Sequence, residues 1–138
     1  MSDWGERAAA EVEELHQFFE DWGAGRMAQN EANFARFTGA AAKDFHLVSP
    51  AGAMADRTQA EAWIWEMHNT RPDWRLWVEK VQVTAQRAGF WIVTYEEWQE
   101  SPAGRTVRFS SALLEEAPAA PNGLRWLHVH ETWLPAQA

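Results

Sequence analysis

LRWLHVHETW, residues 124–133, is rich in aromatic and branched side chains and contains neither glycine nor proline. Such a run reads as a β-strand, in which successive side chains point to opposite faces. Trp126, His128, His130 and Thr132 then share one face, and Leu127, Val129, Glu131 and Trp133 the other. The aliphatic ladder of Leu127 and Val129 is the better match to a core. Glu131 is therefore expected to point inward and the two histidines outward.

Three further runs of the same character precede it, at 74–86, 89–100 and 105–116. Gly89, the Ser101-Pro102-Ala103-Gly104 stretch and Pro121-Asn122-Gly123 separate the runs, as turn residues do. Upstream the periodicity becomes helical. Residues 3–22 place Val12, Leu15, Phe19 and Trp22 on one face, with Ser2 or Asp3 as cap and Gly23 and Gly25 as terminators. A shorter helix is expected over 31–39, around Phe34 and Phe37, and a short strand over 44–48. Thr58 and Glu61 have capping-box spacing and predict a third helix over 58–68, TQAEAWIWEMH. Three helices followed by a strand meander predict an α+β fold, with the helices covering one face of a curved antiparallel sheet.

The length of 138 residues suits a single domain, and 46% hydrophobic content is ordinary for one. The absence of cysteine removes disulfides, thiolate metal sites and cysteine nucleophiles. Acidic residues stand throughout the first 20 positions, the wrong composition for a signal peptide, and no apolar run is long enough for a membrane helix. These features predict a cytoplasmic protein. Twelve Lys and Arg against 20 Asp and Glu give a net charge of −8, which repels nucleic acid. Ten tryptophans against one tyrosine exceed the needs of one small core. They suggest a lined cavity, a subunit interface, or both.

Two segments resemble a known family. DFHLVSPAGAMADRTQAEAWI, residues 44–64, is similar to the first strand, Pro-x-Gly turn and following helix of the NTF2-like superfamily, and LRWLHVHETW is similar to its closing strand with an H-x-H-x-[ST] pattern. Within the superfamily the chain resembles the SnoaL-like and DUF4440 group, and its end resembles the association domain of calcium/calmodulin-dependent kinase II. The resemblance spans the chain and implies an NTF2-like, cystatin-like cone-shaped barrel over residues 1–138. The concave side of its sheet encloses a pocket, and the outer side packs on a second copy. In the kinase domain a charged residue directly after the H-x-H lines the pocket; Glu131 holds that position with the opposite charge.

With this fold, strand alternation sends Trp91, Val93, Tyr95 and Glu97 inward on one strand. Arg108, Ser110, Ala112 and Leu114 point inward on the next. Trp74 opens the pocket mouth, and Trp65 and His46 are candidates to reach it. Trp98, Trp126, His128 and His130 fall on the outer face, where uncovered aromatics would adhere, so a homodimer through that face is expected. His16 is placed on the polar side of the first helix and receives no role. Adjacent same-face histidines can chelate a metal, but a cupin-type site needs a further glutamate a few residues on and a distant histidine. Glu131 follows at once on the other face, so no metal is expected. Neither a nucleotide-binding glycine motif nor a G-x-S-x-G elbow is present, so no cofactor and no serine hydrolase are expected.

Three functions remain open. The first is binding of a small apolar or carbonyl-containing molecule by Trp74, Trp91, Ser110, His46 and Trp65. The second is cofactor-free isomerase, cyclase or dehydratase chemistry, with Glu97 or Glu131 as base and Arg108 or Tyr95 orienting the substrate. The third is a dimeric interaction hub with an incidental cavity.

Overall fold

The computed structural model describes residues 3–135. Helix α1 (Asp3–Gly23) starts with Asp3 and Glu6 in its first turn, where acidic groups favour the helix N-terminus. Ser2, the other cap expected, lies outside the described residues. One stripe of α1 is buried: Ala8, Val12, Leu15, Phe18 and Trp22, joined by Glu11 and His16. Helix α2 (Glu31–Thr38) is capped by Asn30, whose side chain accepts the Asn33 N–H at 2.8 Å. Strands β1 (Ala41–Val48) and β2 (Met54–Asp56) form a hairpin that leads into helix α3 (Arg57–Glu66). The capping box lies earlier than expected. Asp56 accepts the Gln59 N–H at 2.8 Å and Gln59 Oε1 accepts the Asp56 N–H at 2.9 Å, so Thr58 is already inside the helix. The helix also closes before Met67 and His68.

Four long strands follow: β3 (Arg75–Arg87), β4 (Phe90–Ser101), β5 (Gly104–Glu116) and β6 (Leu124–Trp133). A short 3₁₀ turn, Pro121–Gly123, introduces β6. The six strands form one open sheet in the order β2-β1-β6-β5-β4-β3. The sheet is not wholly antiparallel: β1 begins at Ala41, earlier than its sequence suggests, and runs parallel to β6, with Leu47 opposite Val129. The core lies between the concave face and the helices, centred on Val12, Trp22, Val93, Tyr95, Leu114, Leu124 and Trp126.

Bulges decide which way side chains point. Leu113 pairs with His128 and Leu114 with Trp126, which leaves Leu127 as an extra residue on β6. An extra residue reverses alternation locally. Trp126 therefore turns inward and is buried, contrary to its expected outward position, while Leu127 leaves the core ladder. Beyond the bulge the expected phase resumes, with Val129 and Glu131 inward and His130 exposed. A second bulge occurs where Glu79 and Gln82 pair with Glu96 and Thr94; there Lys80 adopts a left-handed φ of 58°.

Candidate functional site

A cavity of about 580 Å³ lies between the concave sheet and the helices, within the range of small-molecule sites. Its walls are apolar: Leu15 and Phe19 from α1, Phe37 from α2, Phe45 and Leu47 from β1, Ile64 from α3, then Met67, Trp74, Leu76, Trp126 and Val129. One charged cluster interrupts them, built from His16, Tyr95, Glu97, Arg108 and Glu131. Sheet register brings the cluster together. Glu97 on β4 is opposite Arg108 on β5, and Glu131 on β6 is opposite Ser110, two residues along β5 from Arg108.

The hydrogen bonds fix the charges. His16 Nδ1 lies 2.7 Å from the Val12 carbonyl oxygen and its Nε2 3.0 Å from Glu97 Oε1. A carbonyl and a carboxylate both accept, so both ring nitrogens donate and the imidazole is a cation. Burial opposes that charge, but the Glu97 hydrogen bond and charge outweigh it and hold the His16 pKa above its ordinary value. Glu97 Oε2 accepts from Gln99 Nε2 at 2.7 Å, and Gln99 Oε1 accepts from Trp74 Nε1 at 3.2 Å. Burial would raise the Glu97 pKa; its hydrogen bond to His16, with the charges of His16 and Arg108, brings it down to about 2.

Glu131 behaves in the opposite way. Arg108 Nη1 donates to its Oε1 at 3.1 Å, and Oε2 makes no hydrogen bond among the described residues. Burial and the charge of Glu97 raise its pKa to about 7, against the pull of Arg108. The two glutamates thus divide: one is a committed anion, the other a carboxyl poised near neutrality with a free oxygen. The Tyr95 hydroxyl is held well above its ordinary pKa by burial and by the two nearby carboxylates.

Tyr95, Glu97, Arg108, Glu131 and Trp74 therefore meet where the sequence placed them. Four other residues do not line the cavity. Trp91 stacks on Trp4 at 4.5 Å within the core, because α1 packs over that end of β4. Ser110 faces inward but is fully buried beneath the larger side chains around it. Trp65 packs between Trp22 and Phe34, at 5.5 Å and 5.2 Å, since the α3 face that carries it turns towards α1 and α2. His46 lies on the outer face, where its ring is 4.7 Å from that of His128.

Trp63, Arg71 and His16 are among the lining residues that the sequence reading missed. Trp63, two positions before Trp65, lies on the opposite side of α3 and lines the cavity while 57% exposed. Arg71, to which the sequence reading gave no role, lines the cavity with its guanidinium 4.8 Å from the Trp74 ring. His16 was assigned to the wrong face of α1. Its spacing of four from Val12 and three from Phe19 is the signal that puts it on the apolar stripe.

On the outer face Trp77 and Trp98 stack at 6.0 Å, while Phe90, Ile92 and Phe109 stand more than 40% exposed. Among the described residues no three His, Asp or Glu side chains are grouped to hold a metal ion. No helix among them is long and apolar enough to cross a membrane.

Three helices over an open curved sheet, with a pocket on the concave side, define an NTF2-like, cystatin-like α+β protein. An NTF-2 like protein of unknown function from Pseudomonas aeruginosa superposes with a TM-score of 0.83 at 26% identity, over 93% of this chain and 98% of that one. The CaMKII hub of S. rosetta gives 0.65 at 15% identity, over 92% and 95%. The chain belongs to the sucrose-6-phosphate phosphohydrolase C-terminal family, whose family model matches residues 8–135. The superfamily expectation holds, but the family within it is not the SnoaL-like or DUF4440 group. Sucrose-phosphatase 2 of Nicotiana tabacum is 26% identical over 129 residues, which cover 91% of this chain and 30% of that protein. The chain thus spans less than a third of that relative's length.

Proposed function

We propose that the concave pocket binds a small molecule with an apolar, carbonyl-bearing body, oriented by Arg108 and Glu131. The observation that carries this reading is the Oε2 of Glu131, without a hydrogen bond among the described residues, in a cavity lined mainly by aromatic and aliphatic groups. Glu97, its neighbour in the cluster, has both carboxylate oxygens engaged. Within larger relatives such as the sucrose-phosphatases, the domain would then supply recognition beside a separate hydrolytic unit. Trp63 and Trp74 line the cavity, so tryptophan fluorescence reports occupancy. Titration with aromatic and aliphatic ketones, acids and amides should change the emission saturably, and Leu15→Trp, which fills the cavity, should abolish the change. An identical response in that variant rejects the pocket as the site.

The catalytic alternative has one specific support, the Glu131 pKa of about 7, which suits a general base. Glu97, engaged at both oxygens, is then an electrostatic partner rather than the base. Detritiation of a carbonyl substrate found in the binding screen should follow an ionisation near pH 7 and vanish in Glu131→Gln. We further propose that the exposed apolar outer face around Phe90, Ile92 and Phe109 pairs with a second copy, as an uncovered patch of this kind requires.

A further inference from the structure

Building on the pocket reading above, the ligand's charge can be argued from the cavity's own cations and anions. Three cationic groups line it, His16 from α1, Arg71 from the segment after α3 and Arg108 from β5. Only two carboxylates do so, Glu97 from β4 and Glu131 from β6. His16 and Glu97 neutralise one another. Arg108 pairs with Glu131 when that group is ionised and also stands 3.5 Å from Glu97, so it keeps a carboxylate neighbour in either state. Arg71 is left over in either case.

Its surroundings are unusual for an arginine. The side chain lies against Trp74, partly buried, with no acidic partner among the described residues. Burial and the nearby positive charge of Arg108 both push its pKa down. Arg108 is itself under-used: its Nε is buried with no hydrogen bond among the described residues and stands 3.5 Å from Glu97 Oε2. Both guanidiniums line the same cavity, and their forked donors suit a carboxylate.

At the other end, β2 and α3 give the cavity an apolar lip. Met54 is 67% and Trp63 57% exposed, and both also line the cavity. A ligand chain that extends past the pocket would cover them.

From these two features we infer that the ligand is a small anionic amphiphile, a carboxylate whose head is held between Arg71 and Arg108 and whose apolar chain fills the cavity towards Met54 and Trp63. The observations favour a carboxylate over a sugar, because outside the charged cluster the walls offer few hydrogen-bonding groups.

The test is isothermal titration of the whole chain with linear carboxylates of four to ten carbons and with their primary amides. Affinity for the acids should rise about fourfold per methylene, from the ~0.8 kcal/mol of burying one, and level off once the chain reaches the lip. Each amide should bind at least tenfold more weakly than its acid. Arg71→Gln should remove that acid preference, whereas Arg71→Lys should retain part of it. Among the described residues Arg71 forms no ion pair and only its contact with the Trp74 ring would change, so both variants should unfold close to the wild-type urea concentration. Equal binding of acids and amides overturns the anionic head while leaving the pocket reading intact. Acids that bind with no dependence on chain length overturn the amphiphile. No binding by either series overturns both the inference and the pocket reading beneath it.

Discussion

Replacing His16 with leucine removes the cation that keeps Glu97 ionised inside the pocket wall. The Glu97 side chain is only 9% exposed, so little solvent screening reduces the effect. Holding its pKa at about 2 rather than 4.5 corresponds to about 3 kcal/mol of folding stability. The general cost of breaking a buried pair, about 3–5 kcal/mol, agrees. The pH dependence distinguishes this cause from a packing defect. Glu97 has a depressed folded pKa, so its contribution is present above the unfolded value of 4.5 and is lost as pH falls through about 2. His16 has a raised folded pKa, so its contribution is present below the unfolded value of 6.5 and is lost as pH climbs through the folded value. The gap between wild type and His16→Leu should therefore be widest between pH 4.5 and 6.5 and narrow on both sides. Urea denaturation at pH 3, 5.5 and 9 measures it. A gap below about 1 kcal/mol at pH 5.5, or one of constant size at all three values, refutes the ion pair.

The other predictions address separate elements. Glu131 has a folded pKa of about 7 against 4.5 unfolded, so its ionisation destabilises the fold as pH climbs from 4.5 to 7. Glu131→Gln should thus be neutral at pH 4.5 and stabilising by about 1–3 kcal/mol at pH 8, in paired chemical denaturation curves. In carbon-13 carboxyl spectra, one glutamate should titrate near pH 7 and lose its signal in that variant, while Glu97 remains ionised down to about pH 2. Glu11 is fully buried and accepts from Arg36, Asn122 and Trp126. Glu11→Ala should cost about 3–5 kcal/mol by leaving these donors unmatched, while Trp126→Phe, which removes one donor, should cost about 1–3 kcal/mol. Joint replacement of Ile92 and Phe109 by lysine should halve the mass measured by light scattering without lowering stability; an unchanged mass would remove the outer face as the interface.

The strand members of the charged cluster, Tyr95, Glu97, Arg108 and Glu131, were legible in the sequence because they lie on regular stretches of strand. Glu97 and Arg108 occupy facing positions in an uninterrupted ladder, and strict alternation predicts them correctly. Trp126 was misplaced because one extra residue, Leu127, stands between it and that regularity. A bulge has no local residue signature here, since Leu127 is an ordinary strand residue. His16 was a different kind of error: it was placed on the polar side of the first helix, although its spacing from Val12 and Phe19 points inward. Trp91, Trp65 and His46 depended on which element packs against each, and side-chain periodicity does not contain that information. The parallel pairing of β1 with β6 joins residues more than 70 positions apart and leaves no short-range trace.

By itself the sequence determined the element types, the helix-over-sheet class and the side of each regular strand that faces the core, because hydrophobic periodicity and turn residues act locally. The tertiary structure alone decided the chemistry of the site. Glu97 and Glu131 are the same side chain, yet one is ionised down to about pH 2 and the other is poised near pH 7. The difference comes from which cation each one meets in a low-dielectric interior, and those cations arrive from distant parts of the chain.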